Sequence, residues 1–230
     1  MELKNAVAVV TGASRGLGRH LTAQLLERGA KVYGAARRPE TVDVPGVIPL
    51  RLDVTDEASV QEAARVASDA TLLINNAGIS TSATLIGGDV AEVRREMETN
   101  FFGPLAATRA FAPVIEGNGG GAVLNVLSAL SWFHPGGLGS YAASKAAAWA
   151  LSDATREELA PRGITVSALH VGYMDTDMAA GVPADQKVAA ADVAAQALYG
   201  IETGLPEILA DETSRYVKQS LSAAPQPNAG

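Results

Sequence analysis

Val7-Ala8-Val9-Val10-Thr11-Gly12-Ala13-Ser14-Arg15-Gly16-Leu17-Gly18 is the stretch on which the reading of this chain turns. A β-branched apolar run of strand length ends at Thr11, a turn with three glycines follows, and an amphipathic stretch begins without a break. Glycines at 12, 16 and 18 permit backbone dihedrals closed to other residues and let a bulky group approach the main chain. A helix N-terminus directly behind such a turn presents free N–H groups, so strand, turn and helix together form a cradle for a pyrophosphate. A glycine-rich turn with no ligand looks the same locally, and the motif takes its meaning from its surroundings.

Outward from this turn, short apolar runs alternate with helical stretches. Strands are expected near 6–11, 31–35, 47–52, 70–75, 121–128, 163–170 and 206–210, and helices near 16–28, 57–67, 89–115, 140–160, 187–202 and 212–222. Most strands are near-continuous apolar runs such as Thr71-Leu72-Leu73-Ile74, the pattern of strands buried on both faces. Asp56 and Asp89 stand where helix N-caps belong. With right-handed crossovers, this alternation predicts an α/β fold: a Rossmann-type doubly wound parallel sheet of about seven strands with helices on both faces. No linker or repeat interrupts it, so residues 1–222 are read as one dinucleotide-binding and catalytic domain and 223–230 as a flexible tail.

Composition removes several classes of function. Of 230 residues, 47% are hydrophobic but only 5% aromatic, and the formal net charge of −7 offers no basic footprint for nucleic acid. There is no cysteine, which excludes disulfide scaffolds and thiol catalysis, and the three histidines, His20, His134 and His170, lack metal-ligand spacing. No metal is expected. The chain has no run of about 20 apolar residues, and its first apolar run is too short for a signal peptide. The expectation is a cytoplasmic protein that meets neither membrane nor nucleic acid.

The second strand ends in Ala36-Arg37-Arg38, where a dinucleotide site selective for NAD would carry an acid to bind the ribose diol. Arginines at a strand end are often solvated surface charge. In an acidic chain, however, Arg15, Arg37 and Arg38 converging on one hollow favour a bound 2′-phosphate, because a guanidinium fork fits phosphate bidentately. NADP (NADPH) is the cofactor this predicts, with NAD as a weaker alternative.

Further motifs follow in order: Leu52-Asp53-Val54, Asn75-Asn76-Ala77-Gly78, Asn100 within Glu98-Thr99-Asn100-Phe101-Phe102-Gly103, Ser128, and Tyr141-x-x-x-Lys145. Singly, each has an ordinary reading as a turn former, a cap or a chance helical pair. In this order and spacing behind the glycine turn, the sequence resembles the short-chain dehydrogenase/reductase family, in its compact single-domain branch, over residues 5–220. The resemblance implies a catalytic tetrad of Asn100, Ser128, Tyr141 and Lys145. It also implies cofactor contacts from Gly12, Ser14, Arg15, Gly16, Leu17, Gly18, Arg37, Arg38, Asp53, Val54, Asn76, Ala77, Gly78, Gly172 and Thr176, with Asp53 at the adenine. Tyr141 and Lys145 would contact the cofactor as well, Lys145 at the nicotinamide ribose, while Asn100 would hold a water linking the lysine to solvent.

The residues can carry that chemistry. Tyr141 and Lys145, four apart on a helix, share a face, and an ammonium beside a phenol is expected to lower the tyrosine pKa from about 10 toward neutrality. Tyr141 would then be the general acid of carbonyl reduction, with the Ser128 hydroxyl stabilising charge on the carbonyl oxygen. One departure stands out: the family's Pro-Gly after strand six is Val171-Gly172 here, so the chain regains an N–H there.

The segments after strands four, five and six, at about 79–85, 130–138 and 173–188, are expected to shape the substrate site. They bring Leu130, Trp132, Phe133, Leu138, Tyr173, Met174 and Met178, an apolar set suited to a small or medium ketone, aldehyde or alcohol. His170 is expected to pack at its strand end. The family association implies a homodimer or homotetramer through the helices near 89–115 and 140–160, with alanines at 142, 143, 146, 147, 148 and 150 allowing close approach. Two alternatives remain: a catalytically inactive NADP-sensing regulator, whose kind usually lacks the Tyr or Lys, and an epimerase or dehydratase of the extended branch, which needs another glycine spacing and a larger C-terminal domain.

Overall fold

The protein is described from a computed structural model covering residues 1–222; the expected tail at 223–230 lies outside the described residues. Seven parallel strands, β1 (Val7–Thr11), β2 (Lys31–Ala36), β3 (Ile48–Arg51), β4 (Leu72–Asn75), β5 (Gly121–Val126), β6 (Ile164–His170) and β7 (Glu207–Leu209), form one sheet. Their order is β3-β2-β1-β4-β5-β6-β7. The direction of winding reverses between β1 and β4, and in such a sheet the crevice for a ligand opens there, beyond the strands' carboxyl ends.

Alternation along each strand splits the core into two layers. Ala8 and Val10 of β1 face a cluster with Leu17, Leu21 and Leu25 of α1 (Gly16–Glu27) and Val193 and Leu198 of α6 (Ala190–Thr203). Val9, between them, faces a second cluster with Val60 of α2 (Glu57–Val66) and with Phe111 and Ile115 of α4 (Gly103–Gly117). Each fully buried Leu, Ile or Phe contributes roughly 1.5–3 kcal/mol, and their placement on both faces makes the strand register hard to slip. Asp56 caps α2 by accepting from Ala58 N, and Asp89 caps α3 (Val90–Met97) from Ala91 N, as expected.

The helix expected over 89–115 is not continuous. One π-turn, Glu98–Phe102, separates α3 from α4, with Gly103 N donating to Glu98 O. An inserted residue of this kind breaks the i→i−4 ladder and re-aims the side chains around it, and Asn100 sits within it. The expected helix over 187–202 begins at Ala190, because Lys187 and Ala189 are extended and Val188 between them bridges to Met174. The helix expected over 140–160 is α5 (Gly139–Leu159), and α7 (Glu212–Ser220) closes the described fold.

Beneath the crevice, β4, β5, α4 and α5 are tied by a buried polar chain. Asn75 Nδ2 donates to Asn125 Oδ1 (2.8 Å) and Thr108 Oγ1 (3.2 Å), and Asn125 Nδ2 donates to Ser152 Oγ (2.9 Å). Paired polar groups in a low-dielectric interior hold one geometry firmly, so the strands carrying the site have little freedom to shift.

Candidate active site

The glycine turn leaves β1 with Gly12 at φ +68° and Gly16 at φ +53°, dihedrals that favour glycine. Gly18 is required for space: a Cβ there would overlap the Gly12 carbonyl oxygen and the Asn76 amide. Asn76 braces the turn from β4 by donating Nδ2 to Thr11 O (2.8 Å) and Gly12 O (3.1 Å). Thr11 Oγ1 accepts from the N–H groups of Asn76 and Ala77, both at 3.0 Å. Asn76 therefore meets the crevice as a brace of the turn, its amide spent on carbonyls. The Leu17 side chain belongs to the core. Arg15, at the N-cap of α1, makes no side-chain cap, which leaves the first-turn N–H groups open toward the crevice.

Beside the turn, Ser14, Arg15, Ala36, Arg37, Arg38 and Thr41 line a polar hollow of about 310 Å³. The three arginines singled out from sequence do meet in one place. Arg15 Nη1 also reaches Asp177 Oδ2 at 3.1 Å, joining the turn to the segment after β6, with both side chains 77% exposed. Asp53 is half-buried beyond β3, its Oδ1 accepting from Thr55 N (3.0 Å) and Thr55 Oγ1 (2.8 Å). Val54 stands against Gly103, where a Cβ would crowd its side chain.

Ser128, Tyr141, Lys145 and Asn100 come together at the carboxyl end of β5. Ser128 is extended (φ −152°), and its Oγ accepts from Leu130 N at 3.1 Å, which turns the chain away and leaves the hydroxyl at the strand end. The Ser128 hydroxyl lies close enough to the Tyr141 phenol to act on its proton affinity. Lys145, one turn along α5, is buried, donates Nζ to Val126 O at 2.8 Å and lies 5.7 Å from the Tyr141 ring centroid. The Asn100 side chain is heavily committed: Oδ1 accepts from Ile79 N, and Nδ2 donates to Ile79 O and Ser144 Oγ, all at 2.9 Å.

The pKa of Tyr141 moves opposite to the sequence expectation. Burial pushes it up to about 12; the nearby Ser128 hydroxyl pulls it down, and the Glu96 carboxylate adds to the rise. Burial likewise lowers Lys145 to about 8. Desolvation penalises whichever form is charged, and here it outweighs the neighbouring ammonium that the spacing of 141 and 145 brings into play.

Behind Ser128, His170 is fully buried as expected, its Nδ1 3.3 Å from Ser128 O and its pKa driven down to about 4 chiefly by burial. Trp132 stacks on it at 3.7 Å between centroids, and Trp149 meets Trp132 edge-on at 5.6 Å. Trp132 thus belongs to the interior, not to a substrate wall. Met174 packs against the core and bridges to Val188, whereas Phe133, Tyr173 and Met178 are exposed and Leu130 and Leu138 half-buried. Gly172 N donates to Asp211 Oδ2 (2.8 Å), and the Thr176 side chain stands beside Gly16, across the crevice. Val171 is buried, and its carbonyl accepts from Ala129 N (3.0 Å).

An apolar hollow of about 610 Å³ lies elsewhere, lined by Thr84, Leu85, Ile86, His134, Gly136, Gly139 and Ala143. Gly139 and Ala143 share one face of α5 and Tyr141, midway between them, points off another. The hollow is on the outside of the first turns of α5, and none of the seven side chains expected to meet substrate lines it.

Comparison with known proteins agrees with this architecture. Residues 6–187 match the short chain dehydrogenase family. The 3-oxoacyl-(acyl-carrier-protein) reductase FabG of Escherichia coli is 32% identical, with 94% of each chain covered. An NADPH-dependent 1-acyldihydroxyacetone phosphate reductase of Schizosaccharomyces pombe is 34% identical over 76% of this chain and 62% of its own. A short chain dehydrogenase of Burkholderia cenocepacia in complex with NADP superposes with a TM-score of 0.93 at 40% identity, covering 97% and 95% of the two chains. A Burkholderia phymatum relative in complex with NAD superposes at 0.84 with 26% identity, covering 96% and 95%. Glycine turn, sheet order and shared sequence lead to one assignment: the chain belongs to the short-chain dehydrogenase/reductase family of oxidoreductases.

Proposed function

We propose that this protein is an NADP(H)-dependent oxidoreductase interconverting an apolar ketone or aldehyde and its alcohol, with Tyr141 as general acid in reduction and general base in oxidation. The observation that carries this reading is the buried Lys145 Nζ, held on Val126 O and 5.7 Å from the Tyr141 ring centroid, with Ser128 beside the phenol at the strand ends near the glycine turn. The choice of NADP rests on the arginine hollow, in which Arg37 and Arg38 stand where an NAD-selective acid would be. It agrees with the relative named as NADPH-dependent and with the one solved bound to NADP. The names of those relatives, 3-oxoacyl and dihydroxyacetone phosphate reductases, agree with carbonyl chemistry.

The cofactor fits the residues present. A pyrophosphate would lie against Gly12, Ser14, Gly16 and Gly18, a 2′-phosphate among Arg15, Arg37 and Arg38, an adenine near Asp53 and Val54, and the nicotinamide end near Ala77, Gly78, Gly172 and Thr176. When bound, the reduced nicotinamide supplies the hydride. Tyr141, held near 12, is protonated at neutral pH and so ready to give its proton to the carbonyl oxygen. Ser128 steadies that oxygen as charge develops. Lys145, near 8, is mostly an ammonium at neutral pH and offsets the phenolate left behind. Asn100 supports the site by bracing the segment after β4 and, through Ser144, the first turns of α5.

The protein also self-associates in this reading. On the outer face of α5, Ala143 is exposed beside Leu85 and the fully exposed Ile86, with Ala150 exposed two turns further along, an apolar surface suited to a second copy. Light scattering at micromolar concentration should find a dimer or tetramer, and a monomer would refute it.

The test of function is to mix the protein with NADPH or NADH and a panel of apolar ketones, aldehydes and alcohols and to follow reduced-nicotinamide absorbance. Turnover with NADPH supports the proposal. Tight NADPH binding with no turnover across the panel would replace it with the sensing-regulator reading.

A further inference from the structure

Glu96 on α3 is fully buried, a placement that a carboxylate occupies only at a cost. Its Oε1 accepts from both Thr81 N and Thr81 Oγ1, while its Oε2 has neither solvent nor a hydrogen-bond partner. Four residues on, Asn100 grips Ile79 through that residue's N–H and C=O. Two side chains about one turn apart thus hold alternate residues of the segment leaving β4, beside the helix that bears Tyr141. Nothing in the tetrad requires an acid at position 96, and an apolar side chain would fill the space without the cost of burying charge.

We infer that Glu96 is a positioning residue: its carboxylate fixes the Ile79–Thr81 wall of the cleft and keeps a negative charge near the Tyr141 phenol, which favours the protonated phenol and with it carbonyl reduction. The inference rests on the proposed role of Tyr141. The titratable groups around the phenol are Glu96 from α3, Lys145 from α5 and, behind Ser128, the neutral His170 at the end of β6. Of these only Glu96 is an acid, and a carboxylate there acts to raise the affinity of Tyr141 for its proton. Arg94 and Arg95 of the same helix face solvent, with Arg95 paired to Glu92 at 2.8 Å.

Glu96→Gln keeps the shape and one acceptor for Thr81 while removing the charge. The alkaline limb of alcohol oxidation should move to lower pH by about half a unit or more. The tyrosinate absorbance change assigned to Tyr141 by subtracting the Tyr141→Phe titration should move with it, and that readout needs no turnover. A limb and a tyrosinate titration that both stay in place would overturn the electrostatic part. Thr81→Val gives a second arm by cutting one tie to Oε1 and leaving the charge. The KM for the carbonyl substrate should rise about threefold, the scale of one neutral hydrogen bond, with NADPH affinity unchanged and no shift of the titration. An unchanged KM would overturn the part about the wall. If the protein binds NADPH but turns over nothing, the proposed function fails, while the tyrosinate titration still decides the inference about Glu96.

Discussion

The arginine hollow and the catalytic end share one rim of the sheet but are built on opposite principles. Arg15 and its partner Asp177 are each 77% exposed, and Arg37 and Arg38 also face solvent. Asn100, Ser128 and Lys145 are all buried, and each has hydrogen-bond partners. Exposed charge is screened, and a pair such as Arg15–Asp177 is worth roughly 0–1 kcal/mol. The first region can therefore be re-tuned for its ligand with little effect on the fold. In the second, burial itself is the active agent: it lifts Tyr141 to about 12 and lowers Lys145 to about 8. Changes there alter proton affinities and packing together.

The sharpest break between the two regions is expected from Tyr141→Phe, which removes only the proton-carrying oxygen. Its kcat should fall roughly 10²–10⁴-fold, with NADPH affinity retained; near-normal turnover would show that another group is the acid. A second effect belongs to the buried region alone. His170 titrates near 4 in the fold, against about 6.5 when free. Because the folded value is depressed, its contribution to stability is intact above about 6.5 and is lost as pH falls toward 4, by roughly 3 kcal/mol in all. The protein's two tryptophans both lie in that cluster, so their fluorescence follows unfolding directly. Denaturant midpoints should drop more steeply between pH 6.5 and 4.5 for the native chain than for His170→Gln, and equal slopes would contradict the assignment.

In the exposed region, Arg37→Asp should weaken NADPH by about tenfold or more, the loss of one charge-assisted bond, and should spare NADH. Equal affinity of the unaltered protein for the two cofactors would remove the basis for this. Smallest of all, Asp177→Asn frees Arg15 from its competitor and should tighten NADPH about two- to threefold. Added salt should erase the difference; a gain that persists in high salt would point to another cause.

How much of this could be read from the sequence follows the same division. Val7 to Gly18 carries its meaning locally, since a strand, three glycines and a helix start need nothing distant to be interpreted, and the turn, the sheet and the arginine hollow stand where expected. Tyr141 and Lys145 were legible through spacing on one helix. The direction of the Tyr141 shift was not, because it depends on burial in the folded chain and on the Glu96 carboxylate, which is distant in sequence. The break in the helix expected over 89–115 was hidden too, as Glu98-Thr99-Asn100-Phe101-Phe102 has an ordinary helical composition and the π-turn follows from tertiary packing. Trp132 appeared available to substrate because its apolar segment was legible, while its stacking partner, His170, lies 38 positions away.

The most direct test of the division is the double variant Arg37→Asp/Tyr141→Phe, measured for NADPH affinity and for single-turnover carbonyl reduction beside both single variants. Sites that share no partners combine additively in free energy. The double variant should show the affinity loss of Arg37→Asp and, at saturating cofactor, the rate loss of Tyr141→Phe, each unchanged by the other. A Tyr141→Phe background that itself weakens NADPH tenfold, or an Arg37→Asp background that slows the saturated chemical step, would contradict the account.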